Sequence, residues 1–144
     1  MFKYRFACSN KETILYKVKQ NRTRDYPVKS IWGINLYASG IHFQECGEII
    51  KGFYLREGEN ETTKGSPLLV CFKGQFVYEK EELFFDVFIY PEIIGFVLLI
   101  VAFLSIAFVH PINFIAGVAV LSLFLKGYYD GIKGAYNALS VIFN

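Results

Sequence analysis

Two uncharged apolar runs on either side of a proline constrain this chain more than any other feature. Residues 93–109, "IIGFVLLIVAFLSIAFV", contain no charged side chain and one hydroxyl, and residues 114–125, "FIAGVAVLSLFL", follow after "HPIN". With the preceding "FIY", the first run gives about 22 residues, or roughly 33 Å of helix, which matches a bilayer core. Pro111 cannot donate the backbone hydrogen bond of a continuous helix. The pattern therefore predicts a two-helix transmembrane hairpin.

The second run is too short to cross a bilayer alone, because twelve residues of helix reach only about 18 Å. It needs the residues after it to reach the opposite headgroups. We therefore expect the membrane interfaces to be marked by Tyr90, Lys126, Tyr128 and Tyr129. His110 is interpreted as a turn residue on the far side.

A polar stripe follows the second run at helical spacing. Its members recur at steps of four and three: Lys126, Asp130, Lys133, Asn137, Ser140 and Asn144. An apolar stripe, which includes Ile132 and Leu139, follows another face, so residues 127–143 are predicted to be helical. Three interpretations of the polar stripe stay open: a helix lying at a membrane surface, a helix that binds a partner, and a helix that lines a pore.

Small residues in the same region permit close packing. Gly127 and Gly131 have GxxxG spacing, and Gly117 and Gly134 add two further points of close approach. These glycines are predicted to pack helices, either within the hairpin or between copies of the chain.

The first ninety residues alternate apolar and polar side chains in the manner of strands. "FKYRFAC", "TILYKVK", "EIIKGFYLRE" and "LFFDVFIY" are examples, and turn signals such as "NRTRDYP" separate them. Seven or eight short strands predict a small barrel or sandwich. The chain is thus predicted to be an α+β membrane protein, with an all-β domain over 1–90 and the hairpin with its amphipathic end over 91–144. The loop 57–67 is the candidate mobile segment.

Charge is polarised along the predicted β domain. Residues 1–30 hold eight basic and two acidic side chains, whereas residues 45–86 hold five basic and nine acidic ones. Lys17, Lys19, Arg22 and Arg24 are candidates for binding an anionic lipid or a small anionic ligand. The alternative is that the basic residues pair with acidic strands nearby.

Catalytic and metal-binding patterns are missing from the sequence. There is no GxSxG, HExxH, P-loop or GxGxxG signature, and on a strand His42 and Glu45 point to opposite faces, as expected of surface polar residues. Three widely spaced cysteines, Cys8, Cys46 and Cys71, indicate buried free thiols in a reducing compartment. We therefore expect no enzyme, no metal, no cofactor and no nucleic-acid partner. No secretory signal is visible, so both termini are predicted to be cytoplasmic.

In layout the chain resembles small bacterial defence effectors, in which a β-barrel senses a cyclic nucleotide and two membrane helices disrupt the bilayer. The resemblance is one of architecture and carries over no site residue. The leading hypothesis is a membrane-anchored, non-enzymatic protein that binds a ligand or partner through a cytosolic β domain. The alternatives are an effector or channel of the defence type and a small accessory subunit of a larger membrane complex. The predicted partners are the lipid bilayer and either further copies of the chain or a larger membrane complex.

Overall fold

A computed structural model describes residues 1–22, 29–31, 34–37, 39–45, 48–56, 62–63, 69–107 and 111–143. Strands and helices follow one another along the chain as β1 (Phe2–Cys8), α1 (Lys11–Arg22), β2 (Lys29–Ile31), β3 (Ile34–Tyr37), β4 (Gly40–Glu45), β5 (Ile49–Leu55), β6 (Thr62–Thr63), β7 (Val70–Glu79), β8 (Glu82–Pro91), α2 (Ile93–Ala107) and α3 (Pro111–Phe143). Most of the predicted loop 57–67, and also Cys46, Arg24 and His110, lie outside the described residues.

The main sheet has five antiparallel strands in the order β1-β8-β7-β5-β4. It is open, with β1 and β4 at its edges, so the predicted barrel is wrong. A second, three-stranded sheet has the order β2-β3-β6. Strands β7 and β8 form a long hairpin whose two turn residues, Lys80 and Glu81, have φ of 50° and 68°. Two positive φ values define a type I′ turn, whose twist matches that of the strands.

One face of the main sheet is covered by α1 and by the C-terminal half of α3. Helix α3 contributes a row of buried side chains at helical spacing: Tyr128, Ile132, Ala135, Leu139, Ile142 and Phe143. Phe143 stacks on Phe85 of β8 with ring centroids 4.1 Å apart, and Phe6 of β1 packs against Tyr136 and Phe143. This apolar layer is the main core of the protein.

The opposite face of the sheet is covered in part by the second sheet. Tyr37 of β3 contacts Phe53 and His42 edge-on, with ring centroids 5.1 and 5.3 Å away. A smaller core of Phe53, Leu55 and Leu69 lies beneath it.

Helix α1 corrects the prediction of an all-β domain. "TILYKVK" was expected to be a strand, because Ile14, Tyr16 and Val18 alternate with polar residues. In the structure Ile14 and Val18 are buried and Tyr16 is exposed, which is the i, i+4 pattern of a helix. Asn10 caps this helix, since its Oδ1 accepts a hydrogen bond of 2.8 Å from the backbone N–H of Glu12.

The predicted transmembrane hairpin, and with it the two-span membrane topology, is also wrong. Within the described ranges, no helix is both long enough and apolar enough to cross a bilayer. The first residues assigned to the span belong to β8, because Phe88 and Ile89 pair with β1 and β7. Helix α2 therefore has 15 residues, or roughly 22 Å. The end of α3, expected at a membrane surface, packs on the sheet instead, although its prediction as a helix is confirmed.

Candidate functional site: an apolar helical hairpin

The most distinctive surface of the molecule lies on α2 and the first half of α3, which leave the sheet as a helical hairpin. Large apolar side chains on both helices are between 38% and 74% exposed. We call this set the hairpin surface: Ile93, Val97, Leu98, Ile100, Val101, Leu104, Phe114, Ile115, Val118, Val120, Leu123 and Leu125. Apolar patches larger than a few hundred Å² are rare on the surface of monomers, and they mark interaction sites.

Close packing holds the two helices of the hairpin together. A Cβ atom built on Gly117 would lie 3.0 Å from Cε2 of Phe103, so the ring of α2 rests against the backbone of α3. Phe103 also contacts Phe114, with ring centroids 6.4 Å apart. Of the two alternatives for Gly117, packing within the chain is the one seen.

The polar atoms of the hairpin bond to their own helices. Ser105 Oγ donates to the carbonyl oxygen of Val101 and Ser122 Oγ donates to that of Val118, each at 2.8 Å. Such back-bonding satisfies a hydroxyl without an outside partner. Residues 93–125 also contain no Asp, Glu, Lys or Arg. The surface therefore lacks the charged groups that make burial costly.

A short joint ties the hairpin to the sheet. The N–H of Glu92 donates to the carbonyl oxygen of Leu69 at 2.9 Å, and Cys71 Sγ donates to Glu92 Oε2 at 3.0 Å. On α3, Asp130 forms an ion pair of 3.6 Å with Arg56, which directly follows β5. Both helices of the hairpin are thus attached to the sheet by polar contacts close to the point where they leave it.

Two of the predicted packing glycines bring α3 against the sheet rather than against another helix. A Cβ atom on Gly131 would come within 2.8 Å of Cγ2 of Val70, and one on Gly134 within 2.7 Å of the Tyr54 ring. Their small size lets the helix approach β5 and β7 closely. Gly127 is half-buried in α3 one turn earlier.

Two tyrosines at the joint have a raised pKa. Burial raises the pKa of Tyr128, and the nearby Glu92 and Cys71 raise it further. The pKa of Tyr90 is raised by the same causes, again with burial as the largest. A thiol becomes a nucleophile beside a positive charge, whereas Cys71 faces a carboxylate. These contacts indicate a structural role for the joint.

The residues predicted to mark membrane interfaces have different surroundings in the structure. Tyr90 is half-buried in β8 opposite Cys71, and Tyr128 is buried in the core. Lys126 and Tyr129 are exposed on α3. Two of the four residues are therefore at least partly buried, and the other two are exposed.

The predicted anion-binding residues are only partly visible. Lys17 and Lys19 are exposed on α1, and Lys17 Nζ donates to the carbonyl oxygen of Ile142 at 3.3 Å, near the end of α3. Arg22 ends α1, and its side chain lies outside the described set, as does Arg24. Anion binding at these residues stays a prediction.

An ion cluster on the sheet matches, for Lys3 and Arg5, the alternative that the basic N-terminal residues pair with acidic strands. Arg5 of β1 donates to both carboxylate oxygens of Asp86 at 2.7 and 3.1 Å and to Glu79 at 2.7 Å, while Lys3 lies 3.1 Å from Asp86. Arg5 holds the pKa of Asp86 below its usual range. The partners of Arg5 are 74 and 81 positions away in the chain, so only the strand register reveals them. The charged groups pair with one another across the strands, which indicates a structural role.

A shallow cavity on the same face is small for a ligand site. It has a volume of about 260 Å³ and is lined by Met1, Lys73, Gly74, Gln75, Phe88 and Tyr90. Ligand pockets usually exceed about 300 Å³. This cavity is therefore a weaker candidate than the hairpin surface.

His42 packs against the small core. His42 was expected at the surface, but it is buried and stacks on Phe53 with ring centroids 4.8 Å apart. Glu48 is exposed, and the described residues contain no group of three potential metal ligands. Cys8 is a buried thiol whose pKa is raised by burial. These groups form no catalytic arrangement in the described part of the chain.

Comparisons with protein-family models, with curated proteins and with solved structures found no match.

Proposed function

We propose that this chain is a non-enzymatic interaction protein, in which the sheet and its helices hold the hairpin surface in a fixed position for a protein partner. The observation that carries the proposal is the exposure of twelve large apolar side chains on two adjacent helices. Leaving each of them in water forgoes roughly 1 kcal/mol or more of burial energy. A partner that covers them recovers that energy.

The joint supports this proposal, because it limits how the hairpin is oriented. The Arg56–Asp130 pair and the Cys71–Glu92 hydrogen bond anchor both helices to the sheet. A partner then meets a preorganised surface, and preorganisation reduces the entropy lost on binding.

Photo-crosslinking in the cells that make the protein tests the proposal. A benzophenone amino acid replaces Leu98 or Leu123, which are 63% and 70% exposed on the hairpin surface. The matched control carries it at Tyr78, which is 75% exposed but lies on β7 away from the hairpin. We expect discrete protein adducts from both hairpin positions and none from Tyr78. If position 78 gives the same adducts, or the hairpin positions give none, the proposal is wrong.

A further inference from the structure

We infer that the partner on the hairpin surface is a second copy of this chain, and that two hairpins pack into a four-helix bundle. This inference rests on the proposed function and names the partner of the same surface. A hairpin supplies two of the four helices of a four-helix bundle. When two hairpins pack together, each covers the exposed apolar side chains of the other. Cyclic dimers are also the commonest soluble assemblies.

The area of the hairpin surface matches what a stable dimer needs. Twelve side chains at about half exposure present on the order of 1,000 Å² of apolar surface, against roughly 800 Å² per partner in a standard interface. The surface is thus large enough to form a specific dimer without help from the rest of the chain.

The chemistry of the surface also favours a copy of itself over a different protein. Homodimer interfaces are more apolar and poorer in charge than interfaces between transient partners. Residues 93–125 carry no charged side chain, so two copies meet without repulsion between like charges. Ser105 and Ser122 already bond within their own helices, so their burial leaves no donor unsatisfied.

Sedimentation equilibrium of the purified full chain tests the inference over a wide range of concentrations. Leu98→Lys and Leu123→Lys place a charge on the hairpin surface, and the matched control Val141→Lys places one at an 80% exposed position on the docked half of α3. Lys and Leu have similar helix propensities, and all three positions are exposed. Near-UV circular dichroism checks that each variant keeps the native fold.

We expect a dimer whose dissociation constant rises at least tenfold in Leu98→Lys and Leu123→Lys and stays within twofold in Val141→Lys. A monomer at every concentration overturns the inference, and so does a dimer that only Val141→Lys weakens. Flotation of the monomer with vesicles of phosphatidylcholine and phosphatidylglycerol, without self-association, overturns it as well.

The two proposals fail in different ways. If the purified chain is monomeric but Leu98 and Leu123 crosslink to another protein in cells, the second copy is wrong and the interaction surface stands. If neither position crosslinks to any protein, including the chain itself, both are wrong.

Discussion

At the scale of single residues, the strongest polar feature is Asp86, a buried carboxylate on the sheet face opposite α3. Arg5 donates hydrogen bonds to both of its oxygens, and Lys3 forms an ion pair with one of them. These contacts join β1, at the edge of the sheet, to β8 across strands that are far apart in sequence. Sequence reasoning did allow that the basic N-terminal residues pair with acidic strands, but it had no means of choosing the partners.

Replacing Asp86 by Asn is expected to destabilise the protein by about 2 kcal/mol at pH 7, because charge-assisted hydrogen bonds are lost. The folded-state pKa of Asp86 is lowered, chiefly by its hydrogen bonds to Arg5. The Asp86 carboxylate therefore contributes its full stabilisation at pH values above the unfolded-state pKa of about 3.9. This stabilisation is lost as the pH falls through the lower pKa of the folded state. Urea unfolding from pH 7 down to pH 2.5 measures this difference.

Glu79→Gln is the control, since Glu79 pairs with the same arginine at an exposed site. Its cost is expected to stay below about 0.5 kcal/mol. If both variants lower the free energy of unfolding equally and neither effect decreases in acid, the Arg5–Asp86 pair stabilises the fold no more than the exposed Arg5–Glu79 pair does.

At the scale of secondary-structure elements, two glycines decide how the central strands pack. A Cβ atom on Gly52 would clash with the carbonyl oxygen of His42 and lie 2.5 Å from the Phe72 ring, and one on Gly74 would clash with the Phe85 ring. Aromatic rings thus cover bare backbone in β5 and β7, and they occupy the space that side chains would take.

Gly74→Val is therefore expected to destabilise the protein by about 3 kcal/mol or more, since Phe85 is fully buried and packs against Phe76 and Phe143. The higher strand propensity of valine recovers at most about 1 kcal/mol. Gln75→Val, on the exposed face of the same strand, is expected to change stability by less than about 0.5 kcal/mol. Thermal unfolding of both variants measures the difference; similar stabilities would show that the ring relaxes.

The type of an element could be predicted where its apolar residues fitted a single periodicity. The prediction failed where they fitted two. The alternation of β1 and β8 has one interpretation, and these two strands are as expected. In α1, Ile14 and Val18 fit both a period of two and a helical turn. The deciding signal was Asn10, a cap residue just before the helix, which had been assigned to a turn.

At the scale of the whole molecule, the core joins segments that are far apart in the sequence. Phe6 of β1 and Phe143 of α3 have ring centroids 6.0 Å apart, and Leu139 is fully buried between helix and sheet. The amphipathic stripe of residues 127–143 was correctly predicted as a helix, but its surroundings were not. An apolar stripe fits a bilayer, a partner or a sheet equally well, and sequence periodicity does not distinguish among them.

A chain that ends at Gly127 is expected not to fold, because it lacks the buried row from Tyr128 to Phe143 that covers the sheet. Near-UV circular dichroism and amide hydrogen exchange measure the loss of fixed packing. A full-length Lys133→Ala variant serves as the control, since Lys133 is exposed and its truncation leaves the core intact. A native-like spectrum from the shortened chain would mean that the sheet is stable without α3.

The placement of α3 over the sheet also bears on how the protein forms during synthesis. All strands of the main sheet precede Glu92, but the helix that covers them ends at Phe143. At typical translation rates the ribosome takes roughly 3–10 s to add those last residues. Throughout that interval the nascent sheet face has no cover from α3, so we expect this chain to depend on ribosome-associated chaperones more than its short length suggests.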